Sequence, residues 1–330
     1  MRPELVNKFK EVEKVIKASE NILIAGHVDS DGDSLGSVLA LHHAIKENTD
    51  AKTTPYLRED IPPSLKFLAE GESLATEVKE APDLVIGVDY GDFERLDLPE
   101  NKIKNAKIIT FDHHEIHGQR GDINIIDIGF SSTAEIIYAF LDTVGWRISD
   151  KIAVCLATGI MTDTGSFAHQ TFPDTFRIAG DLLEAGAPLH DIYEQTIMKP
   201  AHVIKAWGDI LTSLTLNEDI GLVSAYVPFS KFQKHGIVSD DLEGLKDMLK
   251  YTQEASFALL LMEVEPGKIK GSFRSTESKD INVFKIASIL GGGGHKYAAA
   301  FKKNNMTLDQ VYEEVVKVVK EVLEEDTIKV

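Results

Sequence analysis

Four short apolar runs, residues 22–25, 83–88, 106–111 and 123–126, constrain the fold of this chain more than any other feature. Each is long enough for a strand buried on both faces and too short for a buried helix. Between and before them the apolar residues fall at helical spacing, as in Leu5, Phe9, Val12, Val15 and Ile16 and again over 34–45, while 51–57 reads as extended. Strands without a polar face, alternating with helices, predict an α/β fold with a parallel sheet and flanking helices. Beyond Ser131, Ser132 and Thr133, which offer helix-capping side chains, the spacing predicts helices over 134–143, 150–161 and 174–183. Gly186, Ala187 and Pro188 end that run, so an N-terminal domain over 1–188 is expected, with 189–210 as a helical linker.

The remaining residues, 211–330, carry a different pattern. Alternation over 214–227 with turn chemistry at 217–221, then 257–264, Pro266–Gly267 and 269–273, reads as hairpins. A helix over 282–290, a glycine run, an apolar segment over 297–301 and a terminal helix over 308–324 complete a smaller α+β domain. At 330 residues the chain has room for two cores.

Charge and cysteine content narrow the function. The balance of 35 basic against 53 acidic residues gives a net charge of −18, which opposes the wrapping of a long nucleic acid, so any phosphate-bearing partner is expected to be small. A single cysteine, Cys155, forms no intramolecular disulfide and no thiolate metal site, and the cytoplasm is the expected compartment. The first twenty residues hold no apolar signal core, and no run of about 18 apolar residues occurs, so neither export nor a membrane partner is expected. The apolar content of 150–185 suffices for a homodimer face, although core is the commoner use of such residues.

Directly after the first strand stands Gly26-His27-Val28-Asp29-Ser30-Asp31-Gly32-Asp33-Ser34, at the sheet edge where α/β proteins place their sites. Aspartates this close repel and raise one another's pKa unless a cation neutralises them. The plainer alternative is a capping turn, with Asp33 or Ser34 capping the next helix and Gly32 in a left-handed turn. The third strand, however, ends in Asp89 and the fourth in Asp112-His113-His114. In a parallel sheet His27, Asp31, Asp33, Asp89 and His113 therefore meet on one edge, with Asp163, at the end of a long helix, as a further candidate.

These strings, together with Thr162-Asp163-Thr164-Gly165, strongly resemble the DHH phosphoesterase superfamily. Gly271-Ser272-Phe273-Arg274-Ser275 and the run Gly291 to Gly294 followed by His295 resemble its DHHA1 companion domain. The resemblance covers nearly the whole chain, and the layout is most similar to the nanoRNase and pAp-phosphatase type. It implies that His27, Asp31 and Asp89 bind one metal ion and that Asp33, Asp89, His113 and Asp163 bind a second, with Asp89 bridging. Asp112 would orient ligands, and His114 would meet the substrate phosphate or its leaving oxygen. Arg274, Gly292, Gly293, Gly294 and His295 would hold the substrate, in an active site expected in the cleft between the domains. Two divalent ions acidify a bridging water and polarise a phosphoryl oxygen. The imidazole and carboxylate donor set favours Mn²⁺, with Fe²⁺, Co²⁺, Zn²⁺ or Mg²⁺ as alternatives.

The implied activity is hydrolysis of short substrates to nucleoside 5′-monophosphates: linear dinucleotides such as pApA, cyclic di-AMP, very short RNA and pAp. A catalytically silent nucleotide-binding regulatory module on the same fold is the rival of a different class. A family II inorganic pyrophosphatase would want a Ser-Arg-Lys-Lys-Gln signature that the chain lacks, and a RecJ-like exonuclease would want a basic channel. Departures from the family pattern are Ser30, the stretch Ser166-Phe167-Ala168-His169-Gln170-Thr171, and Ala300 where glycine is frequent.

Overall fold

Helix α1 (Pro3–Ala18) buries the stripe Leu5, Phe9, Val12 and Ile16 and leads into strand β1 (Asn21–Ala25). Helix α2 (Gly32–Asn48) follows, then β2 (Lys52–Tyr56) and, after a long crossover, β3 (Leu84–Val88). A short α3 (Glu100–Ile103) precedes β4 (Lys107–Asp112) and β5 (Ile123–Ile126), and three helices close the layer: α4 (Thr133–Val144), α5 (Asp150–Asp163) and α6 (Pro173–Glu184). The structure, a computed structural model, describes residues 3–114, 121–168 and 170–328; His169 in the departing stretch lies outside the described residues.

The strands pair in the order β2-β1-β3-β4-β5, all parallel. Alternate residues serve different cores, as the two-residue period of a strand requires. Ile22, Ile24, Leu84, Ile86 and Val88 face the layer of α1, α2, α4 and α5, whereas Leu23, Ala25 and Val85 pack with Tyr56, Tyr90, Phe93, Leu96 and Ile103 on the other side. The chain moves from β1 outward to β2 and then returns to β3 on the opposite flank of β1. The carboxyl ends of β1 and β3 therefore border the point where strand order reverses, the place where α/β folds of this kind put their sites.

Helices α2 and α5 cross at very close range, and small residues make this contact what it is. A Cβ at Gly36 would sit 2.4 Å from the Cys155 carbonyl oxygen, and one at Gly32 would sit 2.3 Å from Thr162 Oγ1. A Cβ at Gly159 would come within 2.7 Å of both Ala134 Cβ and Asp33 Oδ1. Gly32 thus serves close approach and not the left-handed turn that its place in the loop suggested. The seam brings the C-terminus of α5 to the N-terminus of α2.

The molecule divides into two compact units, Met1–Met198 and Lys199–Val330. Residues 189–210 form two helices: α7 (Leu189–Ile197) packs with α5 in the first unit, and α8 (Ala201–Leu211) packs with the second. The second unit holds β6 (Thr215–Asn217), β7 (Leu222–Val227), α9 (Phe229–His235), α10 (Glu243–Leu249), β8 (Phe257–Glu265), β9 (Lys268–Ser275), α11 (Val283–Ile289), β10 (Gly293–His295), β11 (Ala298–Asn304) and α12 (Leu308–Ile328). Its sheet runs β10-β11-β9-β8-β7-β6 and is mixed, because β7 and β8 pair in parallel through the α9–α10 crossover. Leu259, Leu261, Phe273 and Phe301 face α11 and α12, while Ala258, Leu260 and Met262 face α8, α9 and α10. No helix among the described residues is long and apolar enough to cross a membrane.

Candidate metal centre

The loop after β1 is a capping turn and a carboxylate cluster at once. Asp31, not Asp33 or Ser34, caps α2: its Oδ1 accepts from the N–H groups of Asp33 (3.1 Å) and Ser34 (3.0 Å). Its other oxygen, Oδ2, lies 3.8 Å from His27 Nε2. His27 is buried, and its Nδ1 lies 2.6 Å from the Val28 carbonyl and 3.0 Å from Arg95 Nη2. One nitrogen cannot donate to the first and accept from the second. The shorter contact assigns the proton to Nδ1, which leaves the Nε2 lone pair facing Asp31 and Asp89.

Asp89 follows β3 with φ of 55°, in the left-handed region that non-glycine residues seldom occupy. Such strain persists where the surroundings enforce it. Here the Asp89 N–H is anchored on the Phe111 carbonyl and its Oδ1 accepts from Thr133 Oγ1 at 3.1 Å. The carboxylate ends 3.6 Å from His27 Nε2 through Oδ2 and 3.7 Å from His113 Nε2 through Oδ1. Asp33 is fixed from another direction. Both of its oxygens accept backbone N–H groups at the start of α4, Thr133 at 2.7 Å and Ala134 at 2.9 Å, where the helix dipole favours an anion.

His27, Asp31, Asp33, Asp89, His113 and Asp163 all come together. With His114 added, the candidate ligand atoms form three sets, each within 4.8 Å: His27, Asp31 and Asp89; Asp33, His113 and Asp163; and Asp89, His113 and His114. The clearest sign that the cluster suits a cation is the pair His113 Nε2 and Asp163 Oδ2, buried, 3.2 Å apart and each without a hydrogen bond among the described residues. Polar atoms so placed are costly unless something satisfies them. A divalent cation accepts both lone pairs, so this donor set fits a metal centre.

Electrostatics agree. Burial, reinforced by the neighbouring aspartates, raises Asp33 to about 7 and lifts Asp89 and Asp163 well above the usual carboxylate range. Burial lowers His113 to about 4 and also lowers His27. The side chains by themselves thus favour neutral groups, while cations would let the carboxylates ionise. Asp112 stands apart. Burial alone would raise it, but the His114 side chain and backbone and the Gly91 N–H hold it below the ordinary value. Its Oδ1 accepts from His114 Nδ1 at 2.9 Å, and Oδ2 accepts from the Tyr90 and Gly91 N–H groups. Asp112 in turn raises His114 against the effect of burial. The His114 Nδ1 therefore carries a proton and is not a ligand atom, although it lies 3.5 Å from Asp89 Oδ1.

Several contributors were not legible in the motifs. Thr133 and Ala134 act through backbone N–H groups, and only the capping residues Ser131 to Thr133 hinted at them. Arg95 reaches His27 from a short helical turn with no motif of its own.

In the second unit, register does the assembling. Arg274 pairs with Ala298, and Ala298 with His295, so these three residues form one row on the face that α10 borders. Ser272, Ala300 and Gly293 form the next row, a floor of small side chains. The glycine run has structural work. Gly291 ends α11 at φ of 82°, a Cβ on Gly292 would sit 2.1 Å from the Ala300 carbonyl oxygen, and Gly294 has φ of 136°. Among the four, Gly293 alone has neither crowding nor a positive φ. Phe167, in the departing stretch, packs against the first core and against the Phe176 ring.

Comparison with known proteins follows the same division. The N-terminal domain of the DHH family matches residues 21–160, and the DHHA1 domain matches residues 219–325. The bifunctional oligoribonuclease and PAP phosphatase NrnA of Thermus thermophilus is 31% identical over 326 residues, covering 97% of this chain and 96% of the relative. The protein of the same description from Bacillus subtilis is 28% identical over 298 residues, covering 88% and 91%. The crystal structure of an exopolyphosphatase-related protein from Bacteroides fragilis superimposes with a TM-score of 0.86 at 24% identity, covering 97% and 96% of the two chains.

Proposed function

The chain belongs to the DHH family and carries the DHHA1 domain, and from that premise we propose that it is a metal-dependent phosphodiesterase of the NrnA-like type acting on very short nucleotides. Its relatives of this type are named as oligoribonucleases and PAP phosphatases, and it is, like them, a hydrolase of phosphoric esters. The substrates proposed for this chain are linear dinucleotides such as pApA, together with very short RNA, pAp and cyclic di-AMP. The observation that supports the reading is the buried pair His113 Nε2 and Asp163 Oδ2, without a hydrogen bond among the described residues, with Asp89 Oδ1 3.7 Å from the same His113 nitrogen.

In this reading His27, Asp31 and Asp89 hold one divalent ion, and Asp33, Asp89, His113 and Asp163 a second, with Mn²⁺ the first choice. When bound, the ions supply positive charge that acidifies water and draws electron density from the phosphoryl group. The chain does the rest. Asp33 is kept in place by the start of α4, and Asp89 by Thr133 and its strained backbone. Asp112 orients His114 and favours its protonated form, from which Nε2 would give a proton to the departing 3′ oxygen. Arg274 and His295, on one row of the second sheet, grip the remainder of the substrate. The acidic surface and the −18 charge favour short substrates over long RNA.

The test is chromatographic product analysis with Mn²⁺ on pApA, cyclic di-AMP, pAp, a longer RNA and pyrophosphate in parallel. Rapid release of AMP from pApA with little attack on the long RNA is expected. Metal and nucleotide binding without any turnover would sink the enzyme reading and leave the regulatory module.

A further inference from the structure

Arg274 does not extend freely from its strand. Its Nε–H donates to Asp247 Oδ1 (3.3 Å), its Nη2 to Glu243 Oε2 (3.2 Å) and its Nη1 to the carbonyl of Phe273 (3.0 Å). Glu243 and Asp247 stand one turn apart on α10, so together they grip the lateral edge of the planar guanidinium. Each is itself tied down: Glu243 Oε1 accepts from the buried Lys246 at 2.5 Å, and Asp247 Oδ1 also meets Lys250 at 3.5 Å. A guanidinium has five N–H bonds. Among the described residues three are engaged, which leaves one N–H on each Nη to offer to two oxygens of a phosphate.

Stability is a poor explanation for this arrangement. Glu243 and Asp247 are about half exposed, and ion pairs there contribute little to folding. Lys246, by contrast, is buried, and burial pushes its pKa down despite the attraction of Glu243. A buried ammonium used only to fix one oxygen of Glu243 makes sense if Glu243 must be held still.

We propose that Glu243 and Asp247 are positioning residues that present the free fork of Arg274 to a substrate phosphate, and so set the affinity for short nucleotides. This rests on the reading of Arg274 as a substrate-binding residue. The experiment compares wild type with Asp247→Asn and Glu243→Gln for KM and kcat on pApA, with Mn²⁺ binding followed by electron paramagnetic resonance. Each variant should raise KM on the order of tenfold, the lower end of the effect of losing an orienting partner at a metal site, while kcat and Mn²⁺ binding stay unchanged. Glu243→Asp, which keeps the charge, should recover part of the loss. An unchanged KM in both variants overturns the proposal. So does a lowered KM, which would mean that the carboxylates compete with phosphate for Arg274. Should Glu243→Gln fail to fold, Asp247→Asn carries the test alone. A wild type without turnover removes the reading of the site, and the proposal with it, whereas wild-type turnover with unaltered variants removes the proposal only.

Discussion

Asp89 is shared by two of the three ligand sets and reaches His27 with one oxygen and His113 with the other. Removing its charge while keeping its shape should therefore disturb both ions. Asp89→Asn is expected to lower turnover of pApA on the order of a thousandfold, since metal stabilisation of the transition state is worth several kcal/mol and each 1.36 kcal/mol is tenfold in rate. The variant should also bind fewer than two Mn²⁺ per chain in a titration. Retention of both ions with normal turnover would contradict the placement of this residue. Its left-handed backbone belongs to the same arrangement, with the Asp89 N–H donating to Phe111 and the carboxylate accepting from Thr133. The clustering of these histidines and aspartates could be read from sequence because each follows a strand or ends a long helix inside a short motif. The groups that steady them could not. Thr133 and Ala134 contribute backbone N–H groups, which leave no mark on residue identity, and Glu243 and Asp247 meet Arg274 only once α10 has packed on the sheet.

At the scale of elements, the α2–α5 seam decides whether Asp33 and Asp163 share a site. Gly36 faces a backbone carbonyl that cannot turn aside, so Gly36→Ala should destabilise the protein by roughly 1–3 kcal/mol through overpacking. At Gly180 in α6 an added methyl would meet nothing within 4 Å, and Gly180→Ala should stabilise by roughly 0.4–1 kcal/mol. Urea unfolding of the two variants beside wild type checks both signs, and a Gly36→Ala protein as stable as wild type would deny the seam its tightness. The first sheet was legible because β1, β3 and β4 are apolar on both faces. The second was legible only as hairpins: the β8–β9 pair is antiparallel around Pro266–Gly267 as its turn chemistry predicts. The parallel pairing of β7 with β8 was not, since a contact across the α9–α10 crossover leaves no local pattern.

Across the whole molecule, acid sensitivity should trace to a place far along α2 from the capping turn. His42 and His43 are buried on α2; Glu72, from the β2–β3 crossover, lies 3.5 Å from His42 Nε2 and 3.9 Å from His43 Nε2, and Thr53 Oγ1 lies 2.8 Å from His42 Nδ1. Burial, with Lys46 and His43 nearby, lowers His42 to about 4, against about 6.5 in an unfolded chain. Between these values the unfolded chain binds a proton that the folded chain refuses. Stability is therefore complete above about pH 6.5 and falls as pH drops toward 4, by roughly 2–3 kcal/mol. At the carboxylate and histidine cluster the raised aspartates act with the opposite sign and the lowered His27 and His113 with the same sign, so the measurement is a comparison: urea midpoints at pH 7.5 and 5.0 for wild type and His42→Gln without metal. Wild type should lose more than the variant on acidification, and equal losses would discard the assignment. The α2–α5 seam has one more consequence. The single thiol of the chain, Cys155, sits in it, buried and pushed up to about 12, so that almost none is thiolate at neutral pH. Alkylation of the native protein would then require the two helices to part, so the labelling of this one thiol reports how often the seam opens.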